Sequence, residues 1–496
     1  MIADARPRTF ESLAFDNSYA RLPDTFYQRV LPTPLPAPRL LSWNPDVAAL
    51  FDLDAREFER PDAAEILAGN HPLPGGDPLA MLYAGHQFGT FVPQLGDGRA
   101  ILLGEVKNAR GERWDLHLKG SGPTAFSRGF DGRSVVRSAV REYLASAAMT
   151  GLGIPTTRAL SLVHSRQKAV VRERPETAAA IIRVAPSHVR FGHFEAFSFH
   201  GRTAELQQLA DYVLREFFPA LLTEDDPYAA LIAEVARRTA RLMAQWTAVG
   251  FAHGVMNTDN FSILGLTLDY GPYGFLDAYE PGFICNHTDS GGRYAFDKQP
   301  GIGQWNCLVL ANALLPLTTE ARATDALDAY IPAFEAEYGR LLRAKLGLAT
   351  SESTDAELGG VLLSLMAEHR ADFTRTFRLL AALPDQAHPA DAEFRRLFAE
   401  HEALDHWLVR WRERLHREGS TVSTRGPRMR EANPKYILRN YMAQQAITAI
   451  EAHDDPTELE RLMMLLRDPF AEHEKYSGYA DAPPEWGRHL EVSCSS

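Results

Sequence analysis

Phe251 to Gly271 reads FAHGVMNTDNFSILGLTLDYG and concentrates oxygen-bearing side chains at telling intervals. Asn260 stands seven positions after His253, Asp259 directly precedes it, and Asp269-Tyr270-Gly271 closes the stretch. FSIL and LTLDYG read as two short strands joined at Gly265. An Asn and an Asp at the two ends of such a hairpin can each place an oxygen on one hard cation, the way Mg²⁺ is held beside a nucleotide. The chemistry implied is metal-dependent phosphoryl chemistry.

Protein kinases use a similar frame, H-R-D-x-x-x-x-N followed by D-F-G. Here the His-to-Asn interval is kept, but Val255 occupies the position of the usual catalytic Asp. Two readings follow from the residues alone: the site is dead, or Asp259 carries the acid-base role.

Such a site needs elements that bring cations to phosphate, and the preceding segment offers them in order. QLGDGRAILLGEV gives a turn with Gly96 and Gly98 and then a strand, NARGER a turn, and WDLHLKG a second strand ending at Lys119. Trp114, Leu116 and Leu118 alternate with Asp115, His117 and Lys119, so one face packs and Lys119 projects from the other. A helix is expected over about Arg133 to Met149, with Val135, Ala139, Glu142 and Ser146 on one stripe and Arg133, Arg137 and Arg141 away from it. TTRALSLV and AAAIIRVA read as buried strands, the second interrupted by Arg183; a cation in so apolar a run needs an anionic partner.

Each feature alone has an ordinary reading. A Gly-Asp-Gly turn often only joins strands, a strand Lys is often solvated, and Glu142 could pair with an Arg of its own helix for a few tenths of a kcal/mol. Arg183 divides evenly between a structural ion pair and a phosphate site. The joint order of glycine turn, Lys, helical Glu, His-x₆-Asn and Asp-x-Gly favours a nucleotide-binding fold.

Around this core, residues 1–82 read as an extended N-terminal arm packing on the body, since Pro32, Pro34, Pro36 and Pro38 exclude a helix there. Residues 83–200 form the lobe with the glycine turn, Lys strand and Glu helix. Residues 201–496 form a mainly helical lobe carrying the 251–277 motif and a C-terminal extension; AELQQLADYVLREFF and YAALIAEVARRTARLMAQWTAVG are amphipathic helices. The expected class is α+β, a bilobal protein-kinase-like fold.

The 496 residues carry a formal net charge of −12, which argues against a nucleic-acid or anionic-membrane partner. No basic-then-apolar leader and no long apolar run is present, and three cysteines are too few for a disulfide framework, so a cytoplasmic protein is expected.

Several long blocks, in order, carry a resemblance. They are FDNSYARLP from Phe15, YAGHQFGTFVPQLGDGRA from Tyr83, LKGSGPTAFSRGFDGR from Leu118, RVAPSHVRFGHFE from Arg183, HGVMNTDNFSILGLTLDYGPYGFLD from His253, YEPGFICNHTD from Tyr279 and NPKYILRNYMAQQAI from Asn433. With them the chain resembles the selenoprotein O family. The resemblance implies a pseudokinase-like protein adenylyltransferase that moves AMP from ATP to Ser, Thr or Tyr hydroxyls of other proteins and releases pyrophosphate. It also implies an ATP turned around relative to kinases, so that the α-phosphorus faces the acceptor.

By the same resemblance Gly96, Gly98 and Arg99 are nucleotide contacts, as are Asp131 and Gly132. Lys119 pairs with Glu142, Arg183 and Arg190 grip phosphate, Asp259 is the proton acceptor, and Asn260 and Asp269 hold Mg²⁺ or Mn²⁺. Animal members carry selenocysteine near the C-terminus, where this chain has Cys494; a regulatory disulfide between Cys494 and Cys285 is the associated expectation. Transfer of the γ-phosphate, transfer of UMP and a non-catalytic ATP-binding scaffold are the competing classes.

Overall fold

A computed structural model describes residues 7–167, 170–172, 175–488 and 490. It is an α+β structure built on one antiparallel sheet. The N-terminal segment supplies β1 (Tyr27–Arg29) and β2 (Pro38–Trp43), two short helices, α1 (Pro45–Ala48) and α2 (Ala63–Leu67), and β3 (Leu79–Met81). A small hairpin follows, β4 (Gly85–Gln87) and β5 (Thr90–Val92), then the long pair β6 (Ala100–Lys107) and β7 (Arg113–Lys119). β8 (Ser134–Val135) leads into α3 (Val136–Gly151), followed by β9 (Arg158–Ser165), β10 (Val170–Val171), β11 (Pro175–Glu176) and β12 (Ala178–Ala185).

The strand order is β1-β3-β6-β7-β12-β9-β2, with β8 pairing to β12. Both edge strands thus come from the proline-rich segment. Pro38 stands at the first position of β2, on the sheet edge, where a missing N–H costs no ladder bond.

The expected helix after Lys119 begins at Val136, three residues later than its periodicity indicates. Ser134 and Val135 are drawn into register with Ala179 and Ala178 of β12 instead. Glu142 lies on the buried face of α3, as its stripe predicts, but Arg141 is buried as well and donates to the Tyr273 carbonyl.

The second half is helical. α4 (Phe191–Phe199) and α5 (Thr203–Phe217) lead to α6 (Pro227–Val249), which ends on the left-handed Gly250 and delivers the chain into β13 (Phe251–Ala252). β13 pairs with β14 (Gly274–Phe275), and α7 (Gln299–Leu314), α8 (Glu320–Leu327) and α9 (Tyr330–Leu346) pack around α6. The remaining helices are α10 (Asp355–Glu368), α11 (Phe373–Leu380), α12 (Ala392–Arg395) and α13 (Glu402–Arg417). α14 (Val422–Ala432), α15 (Asn440–His453) and α16 (Thr457–Arg467) follow, the last two resting on α3. Buried Arg439 pairs with Asp277 and, at 2.8 Å, with Asp372, which fastens this C-terminal part to the end of the 251–277 motif. Among the described residues no helix is long and apolar enough to cross a membrane.

The two strands expected at FSIL and LTLDYG do not form a ladder. Gly265 makes the turn with φ +72°, but the flanks share only a single bridge, Phe261 to Thr267. Their backbone groups are used elsewhere: Phe191 N–H donates to the Phe261 carbonyl, Ile263 N–H to Val189, Thr267 N–H to Pro155 and Thr157 N–H to Thr267. The segment is therefore stitched between the start of α4 and the strand that follows α3.

In the helical half, Lys345 is buried with its ammonium 4.2 Å from the Phe377 ring centroid and 5.6 Å from that of Phe373. Burial pushes its pKa down to about 7. Between that value and the ordinary lysine value the unfolded chain binds the extra proton, so stability rises with pH across this window. Lys345→Met is expected to raise the melting temperature most at or below pH 7, with the gain shrinking toward pH 10; a gain independent of pH would contradict this assignment.

Candidate active site

The sheet and the helical half meet at a cleft lined by Gly96, Gly98, Arg99, Lys119, Asp131, Gly132, Arg183, Arg190, Val255, Asp259, Asn260 and Asp269. Every residue singled out in the sequence for nucleotide, metal or proton-transfer chemistry lines it except Glu142, which lies behind Lys119.

On the sheet side, β7 and β12 are neighbours, with Arg183 directly opposite His117 and Lys119 opposite Ile181. The polar face of β7 is not open to water. Lys119 is 4 % exposed, and its Nζ donates to Glu142 Oε2 at 2.6 Å. Both partners being buried, the pair costs desolvation that only close geometry and further charges offset. Those further charges are present: Glu142 Oε1 lies 3.5 Å from Arg183, and Asp269 Oδ1 lies 3.6 Å from Lys119.

Asp269 is the hub. Its carboxylate forms ion pairs with Arg183 and Arg190, and those cations together with Lys119 hold it well below the usual carboxylate range although burial works the other way. The residue adopts φ +54°, a left-handed conformation that a non-glycine side chain takes at some cost and that aims the carboxylate at the cleft. Arg190, at the start of α4, also donates to the Asp259 carbonyl at 2.8 Å. The buried cation expected to need an anion at Arg183 therefore has two, and it also faces the cleft.

Asp259 and Asn260 lie on a single helical turn, Thr258–Asn260. The Asn260 Nδ2 donates to the Val255 carbonyl at 3.0 Å, which leaves the amide oxygen to meet a cation. Val255 thus lines the cleft and orients Asn260. His253 is inside the fold: its Nε2 bonds the Leu268 carbonyl at 2.8 Å and its ring stacks on Trp246.

Asp259 is buried; Gln87 Nε2 approaches its Oδ2 at 3.4 Å, and its Oδ1 has no hydrogen-bond partner among the described residues. Burial pushes its pKa up to about 7, opposed by Arg190. The β4–β5 hairpin packs on this carboxylate so closely that a Cβ at Gly85 would lie 2.6 Å from Asp259 Oδ1. A buried carboxylate oxygen without a hydrogen-bond partner, its proton affinity lifted by burial, has the capacity to accept a proton.

The glycine turn is held by contact as much as by flexibility. Gly96 has φ +108°, and a Cβ there would meet the Phe126 ring at 2.5 Å. Gly132 has φ +65°, and a Cβ would lie 2.1 Å from the Gly122 carbonyl. The neighbouring Asp131 sits at the rim, and its carboxylate is engaged by Arg172 at 2.8 Å and by the Arg133 N–H at 2.9 Å.

The side chains that could hold a metal, Asn260 and Asp269, offer oxygens only, and no group of three or more His, Cys, Asp or Glu suited to a metal occurs among the described residues. Two oxygen ligands with the remaining positions left to phosphate and water suit Mg²⁺ or Mn²⁺, whereas zinc sites are built mostly on His nitrogen and Cys sulfur. Cys285 is buried with its thiol pushed up to about 12; the expected partner Cys494 lies outside the described residues.

Sequence reasoning singled out neither Asp97, between the two glycines, nor His117 on the Lys119 face, although both are buried against the site. The period-2 register shared with Lys119 was the signal that could have found His117.

A family model described as "Protein adenylyltransferase SelO" matches residues 9–467. A protein of Myxococcus xanthus, named protein nucleotidyltransferase YdiU, is 55% identical over 98% of this chain and all of its own length. Proteins with the same name from Thiobacillus denitrificans and from Yersinia pestis are 53% and 50% identical over 98% and 99% of this chain, again over their full lengths.

Proposed function

From the premise that this chain belongs to the SelO family, we propose that it is a protein adenylyltransferase. It moves AMP from ATP to Ser, Thr or Tyr hydroxyls of other proteins, releases pyrophosphate, and works with Mg²⁺ or Mn²⁺. The sheet with α3 and the helical half are, in this reading, the two lobes of a kinase-like architecture in which the nucleotide lies turned around. The observation that carries the reading is the convergence of Lys119, Arg183 and Arg190 on Asp269, beside the unsatisfied carboxylate of Asp259.

The acceptor oxygen attacks the α-phosphorus, the bond from that phosphorus to the bridging oxygen breaks, and pyrophosphate departs. Lys119, Arg183 and Arg190 supply three fixed cations for the charge that develops on it; being buried, they need little reorganisation as it forms. Asp259 accepts the hydroxyl proton at Oδ1, a role worth about 10²–10⁴-fold in rate. Asn260 and Asp269 would hold the metal, which would draw charge from the phosphate oxygens. Val255 then needs no carboxylate, since the base has moved four positions along the chain.

Parallel incubation with α-³²P-ATP and γ-³²P-ATP separates this activity from its rivals. Label is expected on protein from the α-position only. Label from the γ-position would make the protein a kinase, and none from either would leave a scaffold. The relatives' names specify no base, so α-labelled UTP in the same assay tests UMP transfer.

A further inference from the structure

We propose that His117 is a positioning residue: its neutral imidazole, carrying its proton on Nε2, links Asp97 of the glycine turn to Arg183 and fixes the orientation in which that guanidinium meets phosphate. The proposal rests on the reading of Arg183 as a phosphate contact.

The tautomer follows from the partners. Arg183 can only donate, and one of its terminal nitrogens lies 2.7 Å from His117 Nδ1, so that nitrogen must carry the lone pair. The proton is then on Nε2, which donates to Asp97 Oδ2 at 3.1 Å. Burial and the nearby Arg183 charge favour the neutral ring, against the pull of Asp97. His117 is fully buried, and its ring stacks on that of His188 with centroids 4.4 Å apart; His188 is itself held by Asp115 at 3.0 Å.

The link joins two parts of the phosphate side. Asp97 also accepts from the Met81 N–H at 3.0 Å and from Tyr83 at 3.4 Å, while its own carbonyl accepts from Thr124 at 2.7 Å. It therefore anchors the turn between Gly96 and Gly98. At the other end, His117 and Arg183 face each other across β7 and β12, so the ring occupies one guanidinium nitrogen and leaves the other directed at Asp269. Without an acceptor at Nδ1 that nitrogen would be left buried and unpaired, and the guanidinium would turn to find a partner.

The test is a double-mutant cycle read by direct ATP binding and by the KM and kcat of α-label transfer. His117→Leu is expected to weaken ATP binding about tenfold or more, the loss of one hydrogen bond to a charged group, with the larger effect on KM. His117→Asn, whose amide oxygen stands near the Nδ1 position, should rescue most of that loss, whereas His117→Gln, which reaches only toward Asp97, should not. In an Arg183→Ala background the same changes should add less than about twofold, because coupled residues are not additive.

Full additivity in that background, or an Asn variant as impaired as the Leu variant, overturns the proposal. Should His117→Leu fail to fold, the Asn and Gln variants decide it alone. Arg183→Ala with unchanged ATP binding would refute the phosphate reading of Arg183 and the proposal with it. Weakened binding in Arg183→Ala together with independent His117 effects would refute the proposal only. Absence of α-label transfer by the wild type would refute adenylyl transfer and leave the binding cycle intact as a test.

Discussion

Asp269→Ala is expected to reduce α-label transfer to background, a loss on the order of 10⁴-fold or more, while ATP binding in EDTA persists or tightens. Both halves follow from one carboxylate. Asp269 is a metal ligand in the proposed reaction, and it is also the counter-ion of Lys119, Arg183 and Arg190. Removing it disables metal positioning but leaves three buried cations seeking an anion, which the polyphosphate supplies. Because the residue sits at φ +54°, alanine also adds backbone strain of roughly 1–2 kcal/mol. Asp269→Asn, which tolerates that conformation, isolates the charge and should be equally inactive. Asp259→Ala should lose less, about 10²–10⁴-fold for a general base. Equal residual activity in the Asp259 and Asp269 alanine variants, measured by transferred label, would contradict this ranking.

Lys119→Met is expected to be both inactive and destabilised, by roughly 3–5 kcal/mol, the cost of breaking a buried ion pair from one side. Glu142 is left behind, buried, with Arg183 at 3.5 Å as its remaining cation. Adding Glu142→Gln removes the stranded charge and should recover much of the melting temperature without recovering transfer. Denaturant unfolding and label incorporation on wild type, Lys119→Met, Glu142→Gln and the double variant separate the two effects. A Lys119→Met protein as stable as wild type, or a double variant that regains activity, would remove the pair from the account.

Much of the site was legible in the sequence because it is written in residue type and local spacing. Period-2 alternation placed Lys119 on the polar face of its strand, the three- and four-residue stripe placed Glu142 on the inward face of α3, and an Arg inside AAAIIRVA had to find anions. Local chemistry failed where a competing long-range bond won. The FSIL–LTLDYG hairpin dissolved because Val189, Pro155 and Thr157 take its backbone groups, and α3 starts late because Ser134 and Val135 pair with β12. Lys119 was expected to project from its strand's polar face, yet it is buried, since α3 brings Glu142 onto it at 2.6 Å and Asp269 lies 3.6 Å away.

The sequence by itself determined the order of the parts: a glycine turn, a lysine strand, a glutamate helix and an Asn–Asp motif, each specified within about twenty residues by periodicity and turn chemistry. Only the tertiary structure decided what those parts do to one another. That Asp269 gathers three cations, that Asp259 is left with an unsatisfied oxygen, and that His117 bridges Asp97 to Arg183 are relations among residues 20 to 150 positions apart. Charges and hydrogen bonds act through distance and burial, and neither is a property of any short stretch of chain.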